Sequence, residues 1–150
     1  MATRFTTAQG SETDAINSVA DLANFDTVFS YAAVTSDDPT LTVAQMVNGI
    51  VKVSGQTSAQ DVTTPTAAAV VAAIPNCQVG SSFEFTLQNG NTSSGAVTVV
   101  AGSGVTLTGD TAVPIGQTQI YRGIVTNATT AAVRLVGLLN ANQMVDNVTS

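Results

Sequence analysis

Glu84, the Asp37-Asp38 pair, Cys77 and the Gly102-Ser103-Gly104 loop are the positions where this chain has the residue types for chemistry. A carboxylate such as Glu84 can serve glycoside hydrolysis when a second carboxylate faces it across the sugar. Here it alternates with Phe83 and Phe85, which reads as a solvated charge on the outer face of a strand. Two adjacent aspartates supply the oxygen ligands that calcium prefers. Asp37-Asp38-Pro39 lacks the spacing of a calcium-binding loop, however, and reads as a turn. Cys77 has no neighbouring cation in sequence to stabilise a thiolate, so it reads as a small, partly buried apolar residue. As the single cysteine it forms no disulfide within the chain. A phosphate cradle needs glycines followed by Lys-Ser/Thr or by a helix. Gly102-Ser103-Gly104 instead links two β-type runs and reads as a hairpin turn. The chain has no histidine, and with it go the commonest general base and the commonest zinc ligand. The expectation is a protein that is not an enzyme and that holds no metal or cofactor.

Charge narrows the partners. The cations are Arg4, Lys52, Arg122 and Arg134, and the net charge is −6. Four scattered cations do not make a phosphate-binding groove, so nucleic acid is not expected as a partner, nor is an anionic membrane surface. Arg122 and Arg134 sit among apolar neighbours in β-type runs. They read either as outward charges that discourage edge pairing or as partners for an acidic neighbouring subunit. Charged residues make up 9% of the chain, against about 25% in ordinary domains. Thr, Ser, Asn and Gln must therefore supply most of the polar surface, a composition that suits strands better than long exposed helices.

Two helical signals frame the elements that must position these residues. Ile16, Val19, Ala20 and Ala23 fall at helical spacing after Ser11, an N-cap residue. Residues 64–75 form a second one: Thr64 caps, Pro65 takes the first helical position, alanines propagate and Pro75 stops. Residues 42–47 carry a further short helical reading, ended by Asn48-Gly49. Phe25, Val28, Phe29 and Tyr31 cluster in a chain with only 5% aromatic residues. These rings either pack on the chain's own β-domain or anchor an arm on a neighbouring subunit.

From Gly80 onward the apolar period is two. Phe83, Phe85 and Leu87 share one face, Val97 and Val99 another, and Val105 and Leu107 a third. Strands are expected at 82–89, 96–101, 105–108, 117–126 and 131–138, with earlier ones at 50–53 and 61–63. Turns are expected at Asn89-Gly90-Asn91, Gly109-Asp110 and Asn127-Ala128-Thr129. Strands this short and evenly punctuated indicate a mainly-β fold: an antiparallel β-sandwich, jelly-roll-like, with one short helix and an N-terminal arm. The boundaries are residues 1–45 for the arm, 46–138 for the sandwich and 139–150 for a polar tail. The first residues lack the apolar core of a signal peptide, and no run is long enough to span a bilayer.

Several segments resemble a β module of tailed-phage virion proteins. They are Thr64-Pro65-Thr66-Ala67-Ala68, Val79-Gly80-Ser81-Ser82-Phe83-Glu84-Phe85, Gly102-Ser103-Gly104-Val105-Thr106-Leu107 and Val125-Thr126-Asn127, with the lead-in Leu41-Thr42-Val43-Ala44-Gln45-Met46-Val47-Asn48-Gly49-Ile50. The resemblance covers about two-thirds of the chain and transfers no catalytic residue. It implies a virion protein, assembled in the host cytoplasm, of the capsid decoration (cement) type. Such a subunit would be a homotrimer seated on the major capsid protein. The absence of a long internal repeat separates it from a fibre shaft. A receptor- or carbohydrate-binding fibre tip, or another structural tail or collar protein, are the alternatives. The residues expected at a subunit interface are Phe25, Phe29, Tyr31, Arg122 and Arg134.

Overall fold

The computed structural model describes residues 29–93 and 95–138. Nine strands and two short helices follow in the order β1 (Ser30–Val34), α1 (Val43–Met46), β2 (Gly49–Val53), β3 (Gln60–Thr63), α2 (Ala67–Ala73), β4 (Ser82–Asn89), β5 (Val97–Val100), β6 (Val105–Gly109), β7 (Ala112–Val113), β8 (Thr118–Asn127) and β9 (Ala132–Gly137). They form a six-stranded sheet in the order β1-β2-β4-β8-β9-β6 and a three-stranded sheet in the order β3-β5-β7. The fold is thus mainly β, as the alternation implies.

The expectation of an antiparallel arrangement needs correction, because both sheets are mixed. Strands β1, β2 and β4 run parallel to one another, as do β6 and β9, and β3 and β5. Antiparallel pairing joins β4 to β8, β8 to β9 and β5 to β7. The physical reason lies in the connections. Parallel neighbours need long crossovers, and the segments between β1, β2 and β4 are long enough to hold α1, β3 and α2.

The same logic corrects three turns. Asn89-Gly90-Asn91, Gly102-Ser103-Gly104 and Gly109-Asp110 each carry the chain from one sheet to the other rather than closing a hairpin. Of the expected turns, Asn127-Ala128-Thr129 does join antiparallel neighbours, β8 and β9. There the Asn127 Oδ1 accepts hydrogen bonds from the backbone N–H of Thr129 and Thr130 (both 2.9 Å).

Both helices are capped by threonine. In α1 the Thr42 hydroxyl accepts from Gln45 N, and Gln45 Oε1 accepts from Thr42 N, a reciprocal pair. Asn48 then turns the chain with φ +52°, and its Oδ1 accepts from Glu84 N at 3.1 Å, which ties the entry of β2 to β4. Gly49 must lack a side chain, since a Cβ there would fall inside the Gln45 carbonyl. In α2 the N-cap is Thr66, two residues later than the expected Thr64. Thr64 is still engaged with the strands: its N–H donates to Val100 O, and its hydroxyl accepts from Gly102 N at 2.8 Å. The chain leaves the ladder only at Pro65. Ile74 closes the helix directly before Pro75.

One apolar cluster contains buried residues from both sheets. Val51, Val53, Phe85, Leu87, Tyr121 and Leu135 come from the larger sheet, and Val62, Val97, Val99 and Val113 from the smaller. Phe85 and Tyr121 are cross-strand partners whose rings stack at a centroid distance of 5.4 Å. The described part of the segment before residue 46 joins the fold. Val34 and Leu41 are buried in this core, and β1 is an edge strand of the larger sheet. A five-residue edge strand with a single buried position gives little periodicity to read. The helical pattern at residues 12–24, Phe25 and the tail beyond Leu138 lie outside the described residues.

Candidate interaction surface

Along β8 every second residue from Thr118 to Thr126 faces away from the core. This places Ile120, Arg122 and Ile124 on the outward face of the six-stranded sheet. Strand register extends that face. Tyr31, Ile50, Thr86 and Ile120 occupy one row across β1, β2, β4 and β8. The next rows are Glu84, Arg122 and Val136, then Ser82, Ile124, Arg134 and Thr106. At about 4.8 Å per strand, the row from Tyr31 to Ile120 spans about 14 Å.

Large apolar side chains stand open on this face. Tyr31 is 64% exposed, and Ile50, Ile120 and Ile124 are each more than a third exposed. Leu138, whose N–H donates to Ile120 O, is similarly exposed just past β9. Scattered exposed apolar residues are normal, whereas a contiguous set rimmed by charges marks an interaction surface. Lys52 and Arg134 flank this set, and Arg122 lies within it, between Ile120 and Ile124 on β8. Lys52 lies in the row of Ala33, Gln88 and Thr118. All the cations among the described residues therefore share this face, in a chain whose net charge is −6.

Arg122 and Glu84 are direct cross-strand partners and form an ion pair of 3.0 Å. The other described carboxylates lie elsewhere. Asp38 and Asp61 are joined at the smaller sheet, where Asp38 Oδ1 accepts from Asp61 N at 2.8 Å. Asp38 N donates to Gln60 Oε1 at 2.7 Å, so Asp37-Asp38-Pro39 is a structured turn. Asp110 sits near Tyr121 inside the fold. Burial, with the Asp110 carboxylate adding to it, holds the Tyr121 hydroxyl well above its ordinary pKa.

Of the residues expected at an interface, Phe29, Tyr31, Arg122 and Arg134 are all exposed at this one sheet, with Phe29 immediately before β1. Arg122 is paired with Glu84 within the sheet, and the pair stays exposed on the outward face. Ile50, Ile120 and Ile124 were missed. The signal was present in the parity of β8, where both isoleucines share the register of Arg122 rather than that of Gln119 and Tyr121.

No family model matches the sequence, and no curated protein or solved structure matches it. Among the described residues no group of three or more His, Cys, Asp or Glu is placed to hold a metal ion. Cys77 packs half-buried against the core. A buried amide seam holds the crossing after β4. Asn89 Nδ2 donates to Gly95 O and Val113 O, and its Oδ1 accepts from Asn91 N. Asn91 Oδ1 in turn accepts from Gln56 N. These amides serve the fold, and none is aimed at the outward face.

Proposed function

We propose that this chain is a non-enzymatic structural subunit of a virus particle, a decoration (cement) protein of a phage head. It acts by burying the outward face of its six-stranded sheet against other protein. The observation that carries the reading is the row of exposed Tyr31, Ile50 and Ile120, joined by half-buried Thr86, beside the cations of the described residues. Apolar side chains supply the burial, while Lys52, Arg122 and Arg134 set register and choose an acidic partner. The shared core supports a finer description of the two sheets as layers of a β-sandwich. The partners on this reading are two further copies in a homotrimer and the major capsid protein, with neither nucleic acid nor membrane involved. A specific interface of about 1,600 Å², repeated around a shell, stabilises the particle by multivalency.

A second reading, a receptor- or sugar-binding fibre tip, draws on the exposed rings of Tyr31 and Phe29. One experiment separates the two: quantitative mass spectrometry and cryo-EM reconstruction of purified particles. Trimers in hundreds of copies on the shell are expected. A few copies at the tail overturn decoration in favour of the fibre reading, and absence from particles discards both.

A further inference from the structure

The outward face of the six-stranded sheet combines exposed isoleucines with cations, and the chain holds a segment of complementary composition. Residues 12–28 carry Glu12, Asp14, Asp21 and Asp26 together with Ile16, Val19, Leu22 and Phe25. The segment ends immediately before Phe29 and β1, the edge strand of the same sheet. We propose that this acidic, apolar N-terminal segment, donated by a neighbouring copy of the chain, is the occupant of the face. The proposal rests on the reading of the chain as an oligomeric structural subunit and names the contact that builds the oligomer.

Two observations support the segment over another acidic surface of the molecule. The described acidic corner, Asp37, Asp38 and Asp61, has charge but no exposed large apolar side chain to set against Ile50, Ile120 and Ile124. The N-terminal segment supplies both kinds of group. Its attachment point at the sheet edge brings it within reach of the face, which extends about 14 Å from Tyr31 to Ile120. Donation to a neighbour is favoured over return to the parent sheet by the residues next to β1. Phe25-Asp26-Thr27-Val28-Phe29 contains no Gly or Pro for a tight reversal, and Asp26 is the one residue in it that favours a turn. The contact is then heterologous, segment to face, and builds a ring when the rotation between copies closes.

The test uses the full chain and its two tyrosines. Tyr31 lies on the face and Tyr121 in the core, so iodide quenching of tyrosine fluorescence reports cover over Tyr31. Sedimentation velocity reports the oligomer. The wild type is expected to be an oligomer with Tyr31 protected. D21K/D26K and R122D/R134D are each expected to dissociate and to raise quenching several-fold, and the four-fold variant to restore both properties. Far-UV circular dichroism checks that each variant is folded. A second measurement avoids charge reversal: Asp26→Cys and Arg122→Cys chains carrying different tags, both on a Cys77→Ala background, are mixed and oxidised. A disulfide-linked heterodimer is expected, and its absence overturns the contact. A wild-type oligomer with Tyr31 freely quenched overturns the segment as occupant and leaves the structural role standing. A monomer with Tyr31 protected shows the segment on its own sheet and overturns donation. A monomer with Tyr31 quenched overturns both the inference and the oligomeric reading.

Discussion

The ring of Phe83 on β4 lies against Gly123 of β8, its direct cross-strand partner, so closely that a Cβ on the glycine would come 2.3 Å from the ring. The ring is buried and has no open side to move into. Gly123→Ala, which ordinarily favours a strand, is therefore expected to destabilise by about 1–3 kcal/mol through overpacking. Urea denaturation measures it. Phe83→Leu in the same chain should recover part of the loss, giving a non-additive pair; full additivity would show that ring and glycine do not compete for the space.

Tyr121 makes stability fall at alkaline pH. Its hydroxyl is held above its ordinary value of about 10 by burial and by Asp110. The folded chain keeps the proton that the unfolded chain loses once pH passes about 10. The contribution is thus complete below that pH and is lost above it, with a slope of up to about 1.4 kcal/mol per pH unit. Its hydroxyl contact to Thr111 O is long at 3.5 Å. Tyr121→Phe should leave stability near pH 7 within about 1 kcal/mol and remove this part of the slope. Denaturation midpoints between pH 8 and 11 decide it, each variant compared with wild type.

Asn89 is fully buried, and its amide makes three hydrogen bonds to backbone groups. Asn89→Ala leaves Gly95 O, Val113 O and Asn91 N without that partner and is expected to cost about 3 kcal/mol. A change under about 0.5 kcal/mol in chemical denaturation would mean that water replaces the amide.

Arg122 separates stability from assembly. Its pair with Glu84 is exposed, so Arg122→Ala is expected to change folding stability by less than about 1 kcal/mol. Association should weaken much more, and more so at low salt, where the charge on this face acts over a longer range. Sedimentation at two ionic strengths alongside urea denaturation tests this; equal, small effects on both would remove Arg122 from the interface.

Much of the local structure was legible in sequence because alternation is a short-range property. Phe83-Glu84-Phe85-Thr86-Leu87 showed which side of β4 is buried, and Pro75 marked the end of α2. Strand partners were not legible. Asn89-Gly90-Asn91 has the composition of a hairpin turn, yet the following strand joins the other sheet, a choice made by long-range packing. The cap of α2 was misplaced because Thr64 has a second use in the β3–β5 ladder that only the assembled sheets reveal. The candidate surface was half legible. Phe29, Tyr31, Arg122 and Arg134 stood out by residue type, while Ile50, Ile120 and Ile124 are aliphatic residues of β-type runs that only strand register places outside.

The strand order β1-β2-β4-β8-β9-β6 also says when the molecule can form. The middle of the larger sheet is the seam between β4 and β8, and β8 follows β1, β2, β4 and β6 in the chain, with β9 after it. Until it arrives, β1, β2 and β4 have no antiparallel neighbour, and β6 has no β9 to pair with. The two halves of this sheet cannot join until β8 and β9 have been made, and contacts so distant along the chain place folding among the slow, milliseconds-to-seconds topologies. A nascent chain of this kind exposes open strand edges until β8 and β9 emerge, so its yield in a cell should depend on how quickly those two strands follow β6.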